Sequence, residues 1–125
     1  MQENQPSRRA DIKRAYKEAP VQAGVLLIRN LKNGKVLVSS GINAQGRLNR
    51  HRFELGVGSH ECAALQADWD ALGEQAFAFE LAEALKPPEP ANPFFDSVAA
   101  LKALERAWVE KLQPFGERGY NSQAD

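Results

Sequence analysis

The stretch that most constrains this chain is AGVLLIRNLKNGKVLVSSG, residues 23–41. Two apolar runs, Val25 to Ile28 and Val36 to Val38, flank the dipeptide Asn33-Gly34. Asn-Gly accepts the positive φ angles that a tight reversal needs, and β-branched residues on either side suit paired strands. The stretch reads as a β-hairpin.

The segments downstream supply helices to cover it. AQGRLNRHRFELG, residues 44–56, reads as a helix ended by Gly56 and Gly58. Ser59 can cap a second helix, in which Cys62, Leu65, Trp69 and Leu72 recur at three- and four-residue steps before Gly73. AFAFELAEAL, residues 76–85, alternates with Phe77, Phe79 and Leu81 on one side, as a third strand would. KPPEPANPFF, residues 86–95, is a Pro-rich loop. Asp96 or Ser97 caps a last helix over residues 97–113, closed by Pro114. Near the start, Ser7 can cap a short helix that runs to Lys17 and stops at Pro20. The expected class is α+β: a small three-stranded antiparallel sheet flanked by helices. A basic arm (1–20) leads into one domain (21–121) and a short tail (122–125), consistent with a chain of 125 residues.

Composition, 43% apolar and 26% charged, is that of a folded domain. No apolar run is long enough to cross a membrane, and the N-terminal residues lack the apolar core of a secretion signal. Cys62 is the single cysteine, so no internal disulfide forms, which fits a reducing cytoplasm. A cytoplasmic protein with no membrane partner is expected. Formal net charge is zero, yet residues 1–52 hold eleven of the 16 Lys and Arg against three acids, and the remainder holds five against thirteen. A +8 half joined to a −8 half points to a polyanion-binding face or to two solvated sides of opposite sign.

Two polar residues interrupt apolar helical stripes. In the last helix Leu101, Glu105, Trp108 and Leu112 share a face. Burying a carboxylate among them is costly unless it is paired, binds something or reaches solvent. In the first helix Ala44, Leu48, His51 and Leu55 share a face, and Arg47 sits one turn before His51. His51 could be a satisfied core histidine. If both helices face one cleft, Arg47, His51 and Glu105 would suit a phosphodiester, with carboxylate oxygen for a divalent cation and nitrogen donors for phosphate.

Gly24-Val25, Asn33-Gly34-Lys35, GRLNRHRFELGVGSH with Arg47 and His51, ALQADWDALG, FAFE, LERAWVEKL with Glu105, and Gly119-Tyr120-Asn121 follow one another in order. As a set they resemble a GIY-YIG nuclease domain over residues 23–121. The resemblance implies a divalent cation, Mg2+ or Mn2+, at Glu105, the scissile phosphate at Arg47, an assisting His51 and a supporting Asn121. It also implies DNA as partner, with Lys35, Arg47, Arg50, Arg52, His60 and Asn121 as candidate contacts. The sequence departs from that pattern at both motif tyrosines, which are Leu26 and Leu37, and Ser39 replaces a glycine. Leucine neither donates, accepts nor titrates. Loss of a general base typically costs a factor of about a hundred to ten thousand.

The expected function is a nucleic-acid-binding domain with an impaired or inactive phosphodiesterase site. A weakly active metal-dependent endonuclease, with His51 as substitute base, is one alternative. A protein-interaction or regulatory module that kept only the fold is another. Ser39-Ser40-Gly41 lacks a nucleophile elbow, and His60 with Cys62 are too few for a zinc site. Trp69 and Trp108 are expected in the core. The bases between Arg8 and Lys17 could grip phosphates or form a solvated leader.

Overall fold

The computed structural model describes residues 21–88 and 90–122. The basic arm with its expected helix, and residues 123–125 of the tail, lie outside them.

Strands β1 (Gly24–Asn30) and β2 (Val36–Gly41) form the hairpin, in antiparallel register from Gly24 opposite Gly41 to Arg29 opposite Val36. The connection is wider than the expected tight reversal. Only Gly34 takes a positive φ there, at 83°, and Asn33 does not. The physical reason lies in the asparagine side chains. Asn30 Oδ1 accepts from the Lys32 amide at 2.9 Å and the Asn33 amide at 3.3 Å, and Asn33 Oδ1 accepts from the Lys35 amide at 2.9 Å. With its donors satisfied locally, the longer loop forms without a primed two-residue turn.

β3 (Phe77–Ala84) pairs antiparallel on the other side of β1, giving the order β2-β1-β3. Phe79 lies opposite Ile28 and Leu81 opposite Leu26. An irregularity between Val25 and Leu26 then brings Glu83 opposite Val25. Central β1 is covered on both faces: Val25, Leu26, Leu27 and Ile28 are all buried.

Helices α1 (Ala44–Val57), α2 (Ala63–Leu72) and α3 (Ser97–Leu112) follow the expected order. Asn43 caps α1 by accepting from the Gly46 amide, and Gly58 ends it in the left-handed region at φ 78°. The buried residues of α1 are the four on the stripe, Ala44, Leu48, His51 and Leu55. α2 departs from expectation at its start, because Cys62 rather than Ser59 is its cap residue, with no side-chain cap bond. Residues before it are held otherwise. The His60 amide donates to Gln66 Oε1, and His60 Nδ1 accepts from the Cys62 amide, both at 3.0 Å. Leu72, expected on the inward stripe, ends α2 exposed. Asp96 caps α3 by accepting from the Ala99 amide.

The helices divide between the two faces of the sheet. α3 packs Leu104, Trp108, Val109 and Leu112 on Val25, Leu27, Val36 and Val38. α1 contributes Ala44 and Leu48 against Leu26 on the opposite face, beside a cluster of Ile28, Leu55, Leu65 and Trp69. Trp108 is only partly buried, and its indole N–H donates to Glu83 at 2.8 Å. The free edge of β2 is covered by residues 119–121. Gly119 bridges Val36 in parallel, the Tyr120 amide donates to the Val36 carbonyl, and Asn121 bonds both the amide and the carbonyl of Val38.

Candidate functional site

Helix α1 leaves the end of β2 with little clearance. A Cβ placed on Gly41 would lie 3.3 Å from the Cβ of Arg47, so Arg47 sits against the last residue of the strand. From there three neighbouring cavities follow α1, the first two sharing Arg47 and Arg50 and the last two sharing His51 and Glu61, and together they are described as a groove. Its upper part, about 330 Å³, is lined by Gly41, Asn43, Arg47 and Arg50. A middle part of about 150 Å³ adds His51, Glu54 and Glu61. The lowest part, about 400 Å³, lies between the two histidines and β2, with Leu37, Ser39 and Asn121 in its wall.

At the bottom of the groove the imidazoles of His51 and His60 are stacked, with centroids 5.0 Å apart, and His51 Nδ1 lies 2.8 Å from His60 Nε2. Both rings are buried. His51 Nε2 is buried without a partner among the described residues. Burial pushes the His51 pKa down to about 4, helped by the neighbouring His60 and Arg47. Burial also lowers that of His60. Glu54 lies close by. One donor atom each from His51, Glu54 and His60 fall within 4.8 Å of one another, near enough to share a cation. Arg50 Nε bonds Glu54 Oε2 at 3.0 Å, which holds that carboxyl below its ordinary range.

Glu105 is on the other face. Ser40 shares its side of β2 with Val36 and Val38, and its hydroxyl donates to Glu105 Oε1 at 2.5 Å. Glu105 is half-buried and is not among the residues that line the groove. Arg47 and Glu105 therefore reach the same end of β2 from opposite sides, one against Gly41 and the other through Ser40.

Other expected contacts fall elsewhere. The Arg52 guanidinium lies over the Phe79 ring, 4.4 Å from its centroid. The Lys35 ammonium is 5.6 Å from the Tyr120 ring centroid, beside the hairpin turn. Asn121 edges the groove, with its carboxamide committed to Val38. Leu26 is wholly buried beneath α1, and Leu37 packs partly buried on the cluster with Ile28 and Leu55. Neither covers Glu105. Tyr120 does not replace them. Its hydroxyl donates to Asp68 Oδ2 at 2.6 Å and accepts from Asn30 Nδ2 at 2.9 Å. Burial and Asp68 push its pKa up to about 12.

Sequence reasoning missed Ser40, Glu54 and Glu61. Ser40 carried a usable signal, since it shares the parity of Val36 and Val38 and so points at the helix on their face. Glu54 and Glu61 carried none beyond their nearness in sequence to His51 and His60.

Two solved structures are similar to this chain. A point mutant of the catalytic domain of intron endonuclease I-TevI matches with TM-score 0.65 and 24% identity, over 83% of this chain and 97% of that one. The catalytic domain of homing endonuclease I-TevI matches with TM-score 0.62 and 26% identity, over 82% and 99%. No family model matches the sequence, and no curated protein does. The fold is GIY-YIG-like, a three-stranded antiparallel sheet with three helices. No described helix is long and apolar enough to cross a membrane.

Proposed function

We propose that this chain is a nucleic-acid-binding domain whose phosphodiesterase site is impaired. The observation that carries the reading is the groove beside β2. Arg47 and Arg50 line it with His51, while the two places where a tyrosine hydroxyl would be expected hold Leu26 and Leu37. Guanidinium groups bond phosphate oxygens in a fork and keep their charge at any working pH. The similarity to an endonuclease catalytic domain supports DNA as the polyanion.

Glu105 offers a hard oxygen donor for Mg2+ or Mn2+. One of its carboxylate oxygens is held by Ser40, and such cations commonly take one or two carboxylates with water and phosphate oxygens. When bound, the cation would neutralise charge developing on a phosphodiester. Arg47, at the same end of β2, would orient the phosphate, and Ser40 would keep the carboxylate turned toward the strand end. A general base is the missing part. This placement of Arg47 and Glu105 is what keeps weak metal-dependent cleavage as the second reading.

Two measurements test the proposal. Affinity for a DNA duplex should fall linearly on a log–log plot against salt, and Arg47→Ala and Arg50→Ala should each reduce the slope by about 1. No affinity at low salt would leave the fold as a protein-interaction module. Supercoiled and branched DNA incubated with Mg2+ or Mn2+ should remain intact. Nicking that disappears with chelator and in Glu105→Ala would establish the second reading in place of the first.

A further inference from the structure

The proton inventory of the His51–His60 pair can be read from its bonds. The Cys62 backbone N–H donates to His60 Nδ1 at 3.0 Å. A neutral imidazole carries one proton, so that of His60 is on Nε2. Nε2 is the atom 2.8 Å from His51 Nδ1, which must accept it. The single proton of His51 is therefore on Nε2, the buried atom with no partner among the described residues. A backbone amide cannot change its role as donor, so the chain Cys62 to His60 to His51 runs in one direction only.

We propose that His60 is a positioning residue that fixes His51 as the tautomer carrying its proton on the buried Nε2, with its Nδ1 lone pair committed to His60, so that the ring has no free lone pair with which to act as a base. The interest of His51 as a candidate base rests on the nucleic-acid reading; the tautomer does not. Arg47 and Arg50 add positive charge from the same helix, Glu54 and Glu61 add negative charge, and the side chains on the histidine side of β2, Leu37 and Ser39, are uncharged. His51 is thereby unsuited to replace the lost tyrosines as general base. It is equally unsuited to share a cation with Glu54 and His60. A metal on His60 Nε2 needs a lone pair there, which would move the proton to Nδ1 against the Cys62 N–H.

The test is nitrogen-15 NMR of both imidazoles in the free full-length protein at neutral pH, so its result does not depend on whether DNA binds. The expected spectrum shows a protonated Nε2 and an unprotonated, hydrogen-bonded Nδ1 for His51. In His60→Ala the single tautomer should give way to a mixture, and the His51 titration midpoint should rise toward its ordinary value. His60→Gln, whose carboxamide N–H can still donate to Nδ1, should keep the wild-type tautomer. A proton on His51 Nδ1, or a tautomer unmoved in His60→Ala, would overturn the proposal. Stoichiometric displacement of both ring signals by added Zn2+ would overturn it too, by showing a metal site instead.

Discussion

On one face of the sheet α1 carries His51 in the middle of an apolar stripe. On the other, α3 carries Glu105 in the corresponding place on its own stripe. His51 is buried, beside a second imidazole, and it is kept neutral by that burial. Glu105 stays half-exposed and takes one hydroxyl from Ser40. The difference follows from what each group loses when water leaves. An imidazole can discard its proton and enter the core uncharged, whereas a carboxylate near neutral pH keeps its charge and has to stay near solvent. The groove consequently forms on the histidine side, and the carboxylate reaches the strand end from behind.

Truncations should separate the two faces most widely. Leu26→Ala, in the fully buried layer under α1, should cost about 3 kcal/mol in urea unfolding. Leu104→Ala, on the partly buried α3 side, should cost roughly half as much. Equal losses would mean that the faces are packed alike.

Acid should act through the histidine face. His51 titrates near its ordinary value, 6.5, when unfolded and at about 4 when folded, so the unfolded chain takes up the proton first. Stability is then full above pH 6.5 and falls as pH drops toward 4, by about 3 kcal/mol if His51 acts alone. Unfolding midpoints measured across that window should lose much of their slope in His51→Gln, with a remainder from His60, whose pKa burial also lowers. An unchanged slope in His51→Gln would assign the acid sensitivity to other groups.

Tyr120→Phe tests the network that ties the hairpin turn to α2. It leaves the buried Asn30 carboxamide without its acceptor, for about 1–2 kcal/mol in thermal or urea unfolding. The smallest effect is expected from Ser40→Ala, about 1 kcal/mol or less, because Glu105 can turn to water. Its DNA affinity without added divalent cation should equal that of wild type, and a loss there would show that the Ser40–Glu105 contact supports DNA binding directly.

Much of this was legible in the sequence. Period 3.6 identified all four buried residues of α1, including His51, and period 2 identified the face of β3 that carries Phe77 and Phe79. These patterns report burial, which depends on local spacing. They do not report which side of a sheet a helix covers, which depends on how its connections run. That is why Arg47 and His51 were found together and Glu105 was not separated from them. The remaining misses come from side chains that satisfy the backbone locally. Asn30 and Asn33 widened a turn that the Asn-Gly pair alone would have made tight, and Gln66 and His60 held the residues where Ser59 was expected to cap.

The strip of chain from Gly119 to Asn121 occupies hydrogen-bonding groups along the outer edge of β2. Bare strand edges recruit other strands. A product terminated before residue 119 would keep the hairpin and all three helices, yet it would display that edge and lose the Asn121 wall of the groove together. Premature termination in this fold should thus yield a self-associating polypeptide rather than a merely shortened binder, one that quality control can recognise by its stickiness.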